Sequence, residues 1–265
     1  MVMVEKTEYY EIGRAKIESE VFKKLVPQGF PRNSLIIVSG EGGTGKSVIA
    51  TDIVIQFLLK NEPVVYVCLD DTPRSVLQYM NTFTWNIPSY VEKGLLHFLD
   101  CFSFRNKHPP QKKEFITIIS NPSDLSSFSS HLERTMENMS MTNKGLVVID
   151  SLTELMTMVK PLSLIEAVKT WKSLGPKDRQ VMFLATLHYG IRALEETVDM
   201  VDYIADGIID LRYEPNLMAQ GVLLKQIRVR KLKGTKHESY WLSFETTEKG
   251  ITPLNTPKHV KPTTP

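Results

Sequence analysis

The segment Gly40-Glu41-Gly42-Gly43-Thr44-Gly45-Lys46-Ser47 fills every fixed position of G-x-x-x-x-G-K-[ST] and follows the apolar run Leu35-Ile36-Ile37-Val38 directly. Behind it, Val48, Ile49, Ile53, Phe57 and Leu58 repeat in helical phase as far as Lys60. Strand, glycine turn and helix in that order leave few folds open. The glycines allow tight backbone turns, so successive N–H groups converge at the positive end of the helix. A cradle for a triphosphate follows, formed by Gly40, Glu41, Gly42, Gly43, Thr44, Gly45, Lys46 and Ser47. In it Lys46 reaches the β- and γ-phosphates, and the Ser47 hydroxyl ligates Mg²⁺. A glycine-rich turn without a ligand is the plainer alternative, and the strand and helix on either side weigh against it.

The rest of the chain repeats this alternation. Val64 to Leu69 is an apolar run of strand length ending at Asp70-Asp71, and Thr72-Pro73 starts a helix expected to reach about Trp85. Leu95 to Phe102 reads as a strand. Ser103 to Ser123 reads as a loop, with a short strand inside it from Phe115 to Ile119. That loop carries Arg105, Lys107, His108, Lys112 and Lys113 around Pro109-Pro110, a candidate contact loop. A helix from about Asp124 to Met139 precedes the strand Leu146 to Ile149, which ends in Asp150. Then come a helix over Ser163 to Leu174, a strand from Val181 to Leu187 closed by His188, a helix over Glu195 to Ile204 and a strand from Gly207 to Arg212. Strands alternating with helices predict an α/β fold with a mostly parallel, twisted sheet flanked by helices. Val222 to Leu232 and Tyr240 to Phe244 follow without helices and predict an antiparallel C-terminal edge. One domain over residues 1–254 and a flexible tail over 255–265 are expected, with no internal repeat.

Composition closes off several classes. At 265 residues and 42% hydrophobic content the chain can bury a full core without disulfides or metals. It has no apolar stretch of membrane-spanning length, and Met1 to Ile12 is unlike a secretory signal, so a cytoplasmic protein with no membrane partner is expected. Cys68 and Cys101 each lie in an apolar run and read as reduced core thiols. The six histidines show no close ligand spacing, so no structural metal is expected. From Gly221 onward nine Lys or Arg face three Glu, a net +6, which leaves the first 220 residues at −4. A basic C-terminal region admits nucleic acid; a solvated basic face explains it equally.

Four further groups are candidates for chemistry. Asp150, at the carboxyl end of a strand, suits Mg²⁺ held through water. Asp70 or Asp71 is placed to orient or deprotonate an attacking water, unless both acids serve to favour the start of the Pro73 helix. Lys231 and Lys233, two apart in a strand, project with Ile227 and Val229 and away from Arg228 and Arg230. They are placed to stabilise γ-phosphate charge within the subunit or across a subunit boundary; lysines guarding an edge strand are the alternative. His188 is a candidate γ-phosphate sensor or a structural histidine.

The phosphate loop, Asp70-Asp71-Thr72-Pro73, Ile149-Asp150-Ser151, Ala205-Asp206-Gly207-Ile208-Ile209 and Lys231-Leu232-Lys233-Gly234-Thr235 occur in the order seen in KaiC-like ATPases of the RecA/RadA superfamily. From about Gly29 to Leu254 the chain resembles these proteins, most of all the single-domain archaeal members often called RadA paralogues. The resemblance implies a RecA-like core, ATP and Mg²⁺ near a subunit boundary, hydrolysis by an acid pair, and self-association into a ring or filament. By position, Asp70 and Asp71 match the family's tandem glutamates and Asp150 its Mg²⁺ acid. His188 matches the polar sensor, and Lys231 with Lys233 the lysine-x-arginine pair. Aspartate is one methylene shorter than glutamate and lysine lacks arginine's planar fork, so slow hydrolysis is expected.

An ATPase acting in DNA recombination or repair is thus the leading expectation, with a recombinase or signalling protein as partner and single-stranded DNA as a candidate ligand. The alternatives are a nucleotide-gated interaction module in signalling with little or no hydrolysis, and an autokinase.

Overall fold

The computed structural model describes residues 11–106 and 113–254. Lys107, His108 and Lys112 of the candidate contact loop, and the expected tail, lie outside the described residues. Two short strands, β1 (Arg14–Ala15) and β2 (Phe30–Pro31), pair antiparallel beside the main sheet. That sheet has ten strands: β3 (Leu35–Gly40), β4 (Val64–Cys68), β5 (Leu96–Asp100), β6 (Ile116–Ile118), β7 (Leu146–Asp150), β8 (Met182–His188), β9 (Gly207–Tyr213), β10 (Lys225–Leu232), β11 (Leu242–Thr247) and β12 (Gly250–Pro253). Their spatial order is β12-β11-β10-β9-β3-β8-β7-β4-β5-β6. From β9 to β6 every pairing is parallel, and β10, β11 and β12 add the antiparallel edge. This is the α/β architecture expected, and β3 stands near its centre.

Both faces of the sheet are covered, which explains why its inner strands read as unbroken apolar runs. Ile36 and Val38 point into one core with Ile49, Ile53 and Phe57 of helix Lys46–Leu58. Leu35 and Ile37 point into the other, with Phe128 and Leu132 of helix Leu125–Asn138 and Leu164 and Val168 of helix Pro161–Lys172. Cys68 and Cys101 are buried free thiols, and burial pushes both pKa values up. No helix among the described residues is long and apolar enough to cross a membrane.

The helix expected from Thr72 to Trp85 ends instead at Met80, and a separate helix, Ile87–Glu92, begins with Pro88 in its first turn. A proline is well tolerated in the first turn and disrupts a helix interior, so the apolar pattern splits. The last strand, β12, is short, ends in Pro253 and escapes a periodicity reading. It nevertheless fixes the phosphate-loop helix from outside: the Ile251 N–H donates to Asp52 Oδ1 of helix Lys46–Leu58 at 3.3 Å. Gly250 makes this approach possible, with φ at +109°, and a Cβ there would stand 2.2 Å from the same oxygen.

Asp52 itself is 2% exposed, and burial, opposed by the Ile251 N–H, pushes its pKa up to about 6. A carboxyl raised in the folded state binds its proton more tightly folded than unfolded, so stability is lost as pH rises from about 4 through 6. Keeping Asp52 ionised above that window costs about 3 kcal/mol. Asp52→Asn retains the acceptor for Ile251. It is expected to gain stability of about that size at pH 8 and little at pH 4; equal urea midpoints for the two proteins at pH 8 would refute the assignment.

Candidate nucleotide site

The loop between β3 and helix Lys46–Leu58 closes as its glycines foretell. Gly43 and Gly45 adopt φ of +79° and +106°, a region that only glycine occupies freely, and Gly45 immediately precedes the helix. At Gly40 a Cβ would meet Thr44 Oγ1 at 2.7 Å and the Leu211 carbonyl at 2.9 Å, so the loop's start also has no room for a side chain. Thr44 is fully buried and donates its hydroxyl to the Glu41 carbonyl at 2.8 Å.

Lys46 is folded back over this loop. Its Nζ donates to the carbonyls of Gly40 and Glu41, both at 2.9 Å, and the side chain is almost wholly buried. Burial lowers its pKa to about 8, against the attraction of Asp150, Asp70 and Glu41. The loop's own carbonyls hold the ammonium where a polyphosphate would receive it.

Parallel register brings the acids to the same edge. Cys68 of β4 pairs with Asp150 of β7, and Gly40 of β3 pairs with His188 of β8. Asp150 accepts hydrogen bonds from Tyr66, at 2.6 Å, and from the Thr186 hydroxyl. Burial and the adjacent Asp150 raise the Tyr66 pKa, so its hydroxyl remains a donor. Ser47, Asp70, Asp71 and Asp150 line one cavity of about 310 Å³. The Ser47 hydroxyl and an already oriented carboxylate facing a common space are the hard oxygen donors that Mg²⁺ takes alongside its waters.

The two aspartates are held differently. Asp71 Oδ1 accepts the Thr72 N–H at 2.7 Å, and the Thr72 hydroxyl accepts the Ser75 N–H at 3.2 Å, so Asp71 shapes the start of helix Pro73–Met80. Asp70, which lines the same cavity as Asp71, also lies near Asp150, His188 and Glu154. Although it presents surface to solvent, crowding by protein atoms raises its pKa; the Ser151 hydroxyl opposes this and the charge of Asp150 adds to it. The His188 pKa is lowered by burial and by Lys46, which keeps the ring neutral at neutral pH, while its backbone N–H donates to the Thr153 hydroxyl at 2.8 Å.

Glu154 is a further acid at this centre that the sequence reading passed over. It lies beside Asp70, its pKa is raised by burial and by that neighbour, and it reaches Arg105 at 3.4 Å. Four residues past Asp150 in helix Leu152–Met158, it carried no signal beyond its place after a strand-ending acid. Tyr66 and Thr186 were visible only as hydroxyls inside apolar strand runs.

Lys231 and Lys233 are not at this site. β10 runs antiparallel to β9, so Lys225 pairs with Tyr213 near the phosphate loop, whereas Leu232 pairs with Gly207 at the other end of the sheet. A role within the same subunit is excluded by that geometry. The expected facing is corrected too: a bulge between Val229 and Lys231 makes Arg230 the extra residue, which reverses the alternation beyond it. Leu232, not Lys231, then packs in the core with Ile227 and Val229. Lys231 instead donates to the Asp202 carbonyl at 2.9 Å, and Lys233 lies 3.9 Å from Asp206.

Comparison with known proteins agrees with this architecture. A family model described as "ATPase: KaiC" matches residues 15–257. UPF0273 protein PF1931 of Pyrococcus furiosus is 26% identical over 240 residues, which cover 91% of this chain and 93% of that protein. A UPF0273 protein of Thermotoga maritima is 28% identical over 244 residues, 91% of this chain and 95% of the relative. Among solved structures, the KaiC-like protein PH0186 of Pyrococcus horikoshii OT3 superposes with a TM-score of 0.72 at 20% identity, covering 92% of this chain and all of that one, a likeness of fold. With the family model spanning nearly the whole described sheet and the phosphate loop in place at the end of β3, the chain belongs to the KaiC ATPase family.

Proposed function

We propose that this chain binds ATP with Mg²⁺ held between Ser47 and Asp150, and hydrolyses it slowly with Asp70 as the water-activating base. The observation that carries the reading is the convergence of Lys46, Asp150, Asp70 and His188 at the carboxyl edge of β3, β4, β7 and β8. Lys46 neutralises the γ-phosphate and Asp70 takes the proton of the attacking water; a Mg²⁺ held by Ser47 and Asp150 would supply further positive charge to the phosphates. The short reach of an aspartate limits the rate. A phosphate-release assay with Mg²⁺ tests this directly, and no turnover by folded protein would remove the enzymatic claim.

Because burial lowers the Lys46 pKa to about 8, ATP restores its charge on binding and takes up protons near pH 8 to 9. The calorimetric enthalpy of binding should therefore depend on the ionisation enthalpy of the buffer at pH 8.5 and not at pH 6.5. The same slope at both values would contradict the placement of Lys46.

Lys231 and Lys233, at the far end of the sheet, act on the triphosphate of a second copy, which makes the working unit a ring or filament. Mixing Lys46→Ala protein with the double variant Lys231→Ala/Lys233→Ala should then restore turnover that neither shows alone. A mixture no faster than its separate parts would refute action across the boundary.

Part of the basic charge is matched within the fold. Arg228 and Arg230 pair with Asp210, Arg230 also with Asp202, and Arg212 and Arg228 stack on Trp241. Arg105 of the contact loop pairs with Glu154. Such internally matched cations release few counterions on DNA. The nucleotide site therefore favours ATP-driven assembly over a recombination role.

A further inference from the structure

A second cavity, of about 530 Å³, lies between helix Pro73–Met80 and the outer strands β5 and β6. The helix separates it from the cavity at Asp150. Ser75, Val76 and Tyr79 line the latter, while Arg74, Leu77 and Gln78 line the former, as the helical period requires of one helix serving two spaces. The volume falls in the range of small-molecule sites.

Asp100 lies in its wall and is 1% exposed. One carboxylate oxygen, Oδ1, accepts the N–H groups of Phe102 at 3.1 Å and Ser103 at 2.9 Å. Arg74 and Lys113 add two exposed cations to the same cavity, and Leu77, Phe115 and Ile116 give it an apolar wall.

We propose that this cavity binds a small organic anion carrying a flat apolar ring. The anionic group sits on Arg74 and Lys113 and the ring against Leu77, Phe115 and Ile116. Nucleoside monophosphates and acylated aromatic amino acids both have this chemistry.

The probe is 8-anilinonaphthalene-1-sulfonate, which joins a sulfonate to fused rings and fluoresces when sheltered from water. Saturable binding of one probe per chain is expected. Affinity should fall about tenfold both in Arg74→Ala/Lys113→Ala, which removes the cations, and in Gln78→Trp, which fills the space. Circular dichroism and the thermal midpoint establish that each variant is folded, and either variant alone decides the matter. Lys46→Ala should bind the probe as the wild type does, which keeps this site separate from the nucleotide site whatever the fate of the ATPase reading. In that background, displacement by AMP assigns a nucleotide source and displacement by N-acetylphenylalanine an acylated amino acid. The proposal is overturned by probe fluorescence that does not saturate, survives the cavity variants or disappears in Lys46→Ala, or by a probe that neither compound displaces at millimolar concentration.

Discussion

Replacing Lys46 by alanine is expected to lower ATP turnover on the order of a thousandfold while the protein stays folded. The ammonium is nearly enclosed and donates hydrogen bonds to the Gly40 and Glu41 carbonyls, with no carboxylate among its hydrogen-bond partners. Two loop carbonyls lose a donor in a region that water and nucleotide both reach, which limits the cost in stability. Catalysis has no such recourse. On the proposed reading, charge accumulating on the γ-phosphate oxygens would have this cation as its partner within the loop, and a Mg²⁺ held by Ser47 and Asp150 would not supply that contact. Phosphate release at saturating ATP, with the thermal midpoint measured alongside, is the check. Turnover within tenfold of the wild type would mean that the phosphate does not lie where the loop and Lys46 indicate.

Asp70→Asn should cost on the order of a hundredfold or more in turnover and leave ATP affinity within a few-fold, whereas Asp71→Asn should change turnover less than tenfold. The contrast follows from what each carboxyl touches. Asp71 is engaged with the Thr72 N–H, a contact that an asparagine oxygen preserves, while Asp70 shares its surroundings with Asp150, His188 and Glu154. The same crowding fixes the pH dependence. A base whose pKa is raised must lose its proton before it acts, so the acid limb of the rate profile should lie above the range of an ordinary aspartate and vanish with the residual activity of Asp70→Asn. Asp70→Glu restores the missing methylene and should raise turnover. If Asp71→Asn proved the damaging change and Asp70→Asn the silent one, the assignment would be reversed; if both were silent, tight nucleotide binding without hydrolysis would become the better reading.

Much of this molecule is open to a reader of its sequence, because the informative contacts are local. The phosphate loop is set by residues adjacent in the chain, and the period of Ile49, Ile53 and Phe57 reflects which side of one helix meets one sheet. The runs at Val64 and Leu146 announce strands buried on both faces, and the acids at their ends mark the edge where ligands collect. Family resemblance drew the same positions together by order alone. Local reading fails where a distant partner decides. Helix Pro73–Met80 stops early because its continuation is bent into a second helix under Pro88, and β12 exists because Gly250 lets the chain pass close to Asp52.

The sequence by itself determined the α/β alternation, the phosphate cradle and the candidacy of Asp150, Asp70, Asp71 and His188, since each depends on residue type and spacing along a few turns of chain. Only the tertiary structure decided what each aspartate touches, that Glu154 lies beside Asp70, and that Lys231 and Lys233 stand at the far end of the sheet. Register and strand direction are properties of pairings between residues far apart in the chain. A single bulged residue, Arg230, is enough to turn the following side chains to the opposite face, and no period read along one strand reveals it.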